Sequence, residues 1–114
     1  MKRKWTLEID DVHPSINVWA GKHWSVQMKM KKEQMQKAWV AALQAKLPYD
    51  LNKVEIFIEY FHPRDTVDLD NHTPKMWMDY LKKHFVDDNI KHVMKLGWTF
   101  TKGIKHSKIH IIEV

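Results

Sequence analysis

With 114 residues, 44% of them hydrophobic, the chain can close one core but has no length for a second, so a single domain follows. The absence of cysteine excludes a disulfide framework and any thiolate metal site. A net charge of +5 favours an anionic partner, because clustered cations gain affinity for phosphates by releasing condensed counterions.

The N-terminal MKRKW is charged, but no apolar run of signal-peptide or membrane-span length follows it, and a cytoplasmic protein is expected. Lys4 to Ile9 alternates with the strand period, placing Trp5, Leu7 and Ile9 on one face. The stretch DDVHPSINVWAGKHW carries the Pro, Gly, Ser and Asn of a loop, with two tryptophans in it. From Ser25 to Leu47, Met28, Met35, Trp39, Leu43 and Leu47 recur at helical spacing. They predict a long amphipathic helix capped by Ser25 and stopped by Pro48. Lys53 to Phe61 is the clearest strand, with Val54, Ile56, Ile58 and Tyr60 on its apolar face.

Trp77, Leu81 and His84, flanked by Tyr80, mark a shorter helix from Pro74 to His84, with Thr73 as cap and Pro74 as first residue. Two further strands, within HVMKLGWTF and KHSKIHIIEV, are expected to form a hairpin turning at Lys102-Gly103. The order β-α-β-α-β-β fits one small α+β domain, a mixed sheet packed against two helices.

Against the basic background, acidic residues concentrate between Arg64 and Ile90. Asp68 and Asp70 are two apart, which in extended chain puts both carboxylates on one face, about 6 to 7 Å apart, a spacing that serves one cation or two. Asp87-Asp88 follows the second helix, where a chain reversal returns one of the pair to the strand end that bears Asp68. Each piece has a plain structural alternative: Asp70 or Asn71 as a helix cap, Asp87-Asp88-Asn89 as an Asx turn. A calcium loop is disfavoured, since DLDNHT has Thr73 at the sixth position, where the sharp turn of such a loop needs glycine. Phosphodiester hydrolysis would reconcile the charges. Lysines recruit the polyanion, and carboxylates hold cations that activate water and stabilise the leaving oxygen.

VDLDN, then a helix with a lysine and MDYL, then FVDDNI, resembles the RusA family of Holliday junction resolvases, common in phages and prophages. HPSINVW is similar to that family's Pro-Ser-x-Asn segment, and the resemblance spans nearly the whole chain. It implies that Asp68, Asp70 and Asp88 are the metal-binding catalytic carboxylates and that Lys75 meets the scissile phosphate. It also implies Mg²⁺ as cofactor, with Mn²⁺ as a possible substitute, and a homodimer that nicks a four-way DNA junction symmetrically. Two alternatives stay open: Asp87 in place of Asp88, and a surface ion pair between Lys75 and Asp79, which are i, i+4 neighbours.

Ser15, Asn17 and His23 in the tryptophan-bearing loop, Lys29 and Lys32 on the long helix, Arg64 and Asn71 complete the candidates for DNA contact. Trp19 and Trp24 are candidates for stacking on bases, whereas Trp39 and Trp77 are expected in the core. His62 is read as a strand end, and His72, two residues after Asp70, is kept only as a minor candidate for supporting the metal ligands. The rival readings are a less selective metal nuclease acting on flaps or nicked duplex, and a DNA-binding module without catalysis.

Overall fold

A computed structural model describes residues 2–64, 72–87 and 90–114. Strand β1 (Lys4–Ile9) leads through a one-turn helix α1 (Ile16–Trp19) to the long helix α2 (Trp24–Gln44). Strand β2 (Val54–His62) follows, then α3 (Lys75–Leu81), 3₁₀ turns at Lys82–His84 and Ile90–His92, β3 (Val93–Lys102) and β4 (His106–Glu113). The result is a small α+β domain with one four-stranded mixed sheet. Among the described residues no helix is long and apolar enough to cross a membrane.

The strands lie in the order β1-β4-β2-β3, with β4 antiparallel to both β1 and β2, and β3 parallel to β2. The alternation in β1 and β2 is the burial pattern found: Leu7, Ile9, Val54, Ile56, Ile58 and Tyr60 all face inward and are buried. Rows of side chains cross the whole sheet, such as Leu7, Ile109, Ile58 and Trp98. Each buried aliphatic of such a row contributes about 1.5–3 kcal/mol.

The expected hairpin between β3 and β4 is not formed. The Gly103 N–H donates to the His62 carbonyl at 2.9 Å, so the turn passes over the end of β2, which separates the two strands. Burial explains the choice. Ser107, Ile109 and Ile111 of β4 are all buried and demand a place inside the sheet, whereas Met94 and Leu96 of β3 are exposed, as an edge strand tolerates.

The long helix also packs on a different face from the one its large apolar residues mark. Gln34, Ala38, Ala41 and Ala42 are its buried residues, at the i, i+4, i+7, i+8 spacing of one helix face. Met28, Trp39 and Leu43 are exposed, and Met35 is only half-buried. Small side chains let the helix backbone approach its neighbours closely, and the bulkier residues are left outside. Trp77, by contrast, is fully buried.

The caps differ too. His23, not Ser25, caps α2: its Nδ1 accepts from the Ser25 N–H at 3.2 Å, which makes Ser25 the second helical residue. Neither Thr73 nor any other adjacent side chain caps α3, which starts at Lys75 with Pro74 in the N-cap position. At the other end of α2, the Leu47 N–H donates to Ala42 O at 3.0 Å and the Lys46 N–H to Leu43 O at 3.1 Å. This is a Schellman closure, and it forces Lys46 to φ 56°, where a side chain is disfavoured and glycine is not. Lys46→Gly is therefore expected to stabilise the fold by roughly 0.5–1 kcal/mol, read as a raised urea midpoint at unchanged m-value.

Candidate nucleic-acid interface at the third helix

Three segments distant in sequence converge on α3. The first is the loop after β1. His13 is fully buried, and its Nε2 accepts a hydrogen bond from the Met76 N–H at 3.0 Å, satisfying a donor in the first turn of α3. Because Nε2 accepts, Nδ1 carries the proton and donates to Pro14 O at 2.9 Å. Burial pushes the His13 pKa down to about 4, against smaller opposing effects from the Pro14 hydrogen bond and the Asp11 and Asp79 charges. The imidazole is neutral at pH 7, as the accepting nitrogen requires.

The second segment is α2. Buried Gln34 accepts from the Trp77 indole N–H at 2.9 Å, and its amide reaches Asp11 at 3.5 Å. Asp11 is itself paired with Lys37 and, at 3.1 Å, with Lys105. Partial desolvation pushes the Asp11 carboxyl up, but the Lys37 hydrogen bond, the Val12 N–H and Lys105 outweigh it and hold the group below the usual carboxylate range. One turn away, Lys31 of α2 reaches Asp79 of α3 at 3.2 Å.

The third segment is β2, where the buried Tyr60 hydroxyl donates to His72 O at 2.8 Å. Burial raises the phenol pKa and keeps it a donor. His72 also packs edge-on against Phe100, so the backbone just before α3 is fixed from the sheet.

Lys75 is the first residue of α3, 60% exposed, and pairs with Asp79 at 3.5 Å, the ion pair its spacing suggests. Asp79 thus gathers two ammonium groups, one from each helix. Beside them a cleft of about 250 Å³ is lined by Trp19, Trp24, Gln27, Met28, Lys31, Lys75, Met76 and Asp79.

The other candidates divide. Ser15 stands at the N-cap of α1 without making a side-chain cap bond, and Asn17 is exposed on that helix. His23, Lys29 and Lys32 are exposed on the first half of α2, and Arg64 is exposed beyond the end of β2. His62 ends β2 as read, its Nδ1 accepting from the Arg64 N–H at 3.1 Å. Asp68, Asp70, Asn71 and Asp88 lie outside the described residues.

Asp87 is described, and it is engaged: one oxygen lies 2.6 Å from buried His92 Nε2, the other 3.3 Å from Lys91 Nζ. Desolvation pushes its carboxyl up, but the His92 and Lys91 hydrogen bonds prevail and lower its pKa. Among the described residues no group of three or more His, Cys, Asp or Glu is arranged to hold a metal ion.

His13 and Gln34, the two buried polar groups that seat α3, are not singled out by sequence reading. Their signal is faint: a histidine before a proline, and a glutamine in phase with three alanines. No family model matches the chain, and no curated protein matches it.

The seating of α3 depends on pH. The folded pKa of His13, about 4, lies below the ordinary 6.5, so in that interval the unfolded chain binds more protons. Its contribution is complete above pH 6.5 and is lost as pH falls towards 4, on the order of 3 kcal/mol in all. Urea titrations across this range are expected to show that fall. His13→Gln should flatten it, apart from the slope left by His84, whose pKa burial also lowers.

Proposed function

We propose that this chain is a Mg²⁺-dependent, structure-selective endodeoxyribonuclease that works as a homodimer and resolves four-way DNA junctions by paired symmetric incisions. One observation carries the reading. Lys75, to which the resemblance to the RusA family gives the scissile phosphate, stands exposed at the start of α3, close behind the His72 backbone that Tyr60 anchors after the DLDN run.

The donor set suits the metal. Asp68, Asp70 and Asp88 offer only carboxylate oxygens, the hard ligands that Mg²⁺ and Mn²⁺ prefer. The engagement of Asp87 by His92 and Lys91 supports Asp88 as the third ligand. Mg²⁺ bound there supplies charge neutralisation at the phosphate and a more acidic water. The three carboxylates hold that charge in place, and Lys75 donates to a phosphate oxygen as negative charge develops. Lys29, Lys32 and Arg64 hold flanking phosphates, while Ser15, Asn17, His23 and Asn71 hydrogen-bond phosphate or sugar oxygens.

A labelled four-way junction and a matched linear duplex, each with and without Mg²⁺, test the proposal. Wild type is expected to nick the junction symmetrically and only with metal, and Asp87→Asn to retain this. Asp70→Asn and Asp88→Asn should bind without cutting, and Lys75→Ala should cut roughly 10²–10³-fold more slowly. Equal cutting of linear duplex would instead mark a less selective nuclease. Metal-independent binding without any product would make the carboxylates structural and the chain a binding module.

A further inference from the structure

The cleft beside Lys75 is not needed to hold metal or to carry the attacking water, yet it is shaped for a ligand. At about 250 Å³ it falls below the roughly 300–1,000 Å³ of sites for drug-sized molecules, so a single planar ring is the right scale. Trp24, on its wall, is 67% exposed, so most of its side chain is open to solvent although the His23 ring lies tilted 5.6 Å from it. The indole N–H of Trp19 is buried and, among the described residues, has no hydrogen-bond partner, an uncommon state for a buried donor. Gln27 is spent otherwise, its amide donating to Ala20 O at 3.0 Å and Lys22 O at 2.8 Å. At the rim the Lys31 and Lys75 ammonium groups, 49% and 60% exposed, meet the single carboxylate of Asp79 and leave a net positive charge.

An exposed aromatic side chain and two cations at one ring-sized cleft match one kind of occupant: a planar heterocycle tied to a phosphate. We infer that the cleft between α1, α2 and the start of α3 takes a single unstacked base of a DNA strand. The base stacks on Trp24 and places its phosphate at Lys31 and Lys75. The inference rests on the proposed action on DNA and adds to it a physical basis for selectivity, since unstacked bases are available at a branch point and not within intact duplex.

The test uses metal-free binding, apart from cleavage. Affinities are measured for a short thymidine oligomer, for an abasic oligomer of equal length, and for free thymidine monophosphate, with wild type, Trp24→Ala and Trp24→Phe. Wild type is expected to prefer the base-bearing oligomer by roughly 5- to 150-fold, the range of one base–aromatic stack. Trp24→Ala should lose that preference while keeping its salt-dependent affinity for the abasic chain, and Trp24→Phe should retain most of it. With a side chain this exposed, loss of folding does not confound the result. No base preference in wild type, an equal preference in Trp24→Ala, or binding of the free monophosphate alone would each overturn the inference. A protein that cuts junctions but shows no base preference keeps the nuclease reading and loses this one. One that shows the preference but never cuts does the reverse.

Discussion

The candidate site depends on one buried hydrogen bond, from the Trp77 indole to Gln34. Helix α3 has only seven residues, too few to persist alone, so its position is set by what it docks against. Trp77 is fully buried, and its N–H would be left unsatisfied in an apolar pocket; Gln34 of α2 supplies the acceptor. Removing either partner would strand a buried polar group at a cost of about 1–3 kcal/mol. His13 adds a second constraint by accepting from Met76, and its edge-on contact with Trp77 joins the two into a single arrangement.

This seating explains how the charges are distributed. Lys37 and Lys105 are taken up by Asp11, at the end of the chain of contacts that holds Gln34. Lys31 and Lys75 are gathered by Asp79 at the cleft, and Lys29 and Lys32 remain on the outer surface of α2. A run of lysines that looks uniform in sequence is thus split between structural pairing and surfaces open to an anion. Partly exposed pairs of this kind contribute little to stability, roughly 0–1 kcal/mol each, so their larger effect is on where positive charge stands.

What could be read beforehand follows the range of the interactions. β1 was legible to its boundaries, and β2 to within one residue at each end, because alternation is a local consequence of one buried face. The i, i+4 spacing of Lys75 and Asp79 revealed their pair, but nothing local revealed Lys31 as its third member. α2 was legible as a helix and misjudged in its face, because three alanines and a glutamine pack where size alone favoured Met28, Trp39 and Leu43. The turn signal at Gly103 was real, yet which strand β4 joins is set by burial of Ser107, Ile109 and Ile111 across the sheet. His13 acts on a residue 63 positions away, beyond any periodicity.

Topology then accounts for the location of the site. β2 and β3 run parallel and are paired through His62 and Lys102, so both finish at the same edge of the sheet. Parallel neighbours need a crossover, and α3 lies within it. The hydrogen bond from Tyr60 to His72 fixes the start of that crossover near the end of β2, which brings Lys75 to the carboxyl edge of the parallel pair. Ligands of open mixed sheets gather at that edge, because loops leaving strand ends there are free to vary while the strands hold them in place. In chain order the DLDN run falls between Arg64 and His72. Lys31 and Lys75, gathered by the single carboxylate of Asp79, therefore leave a surplus of positive charge where the fold leaves room for an anionic ligand.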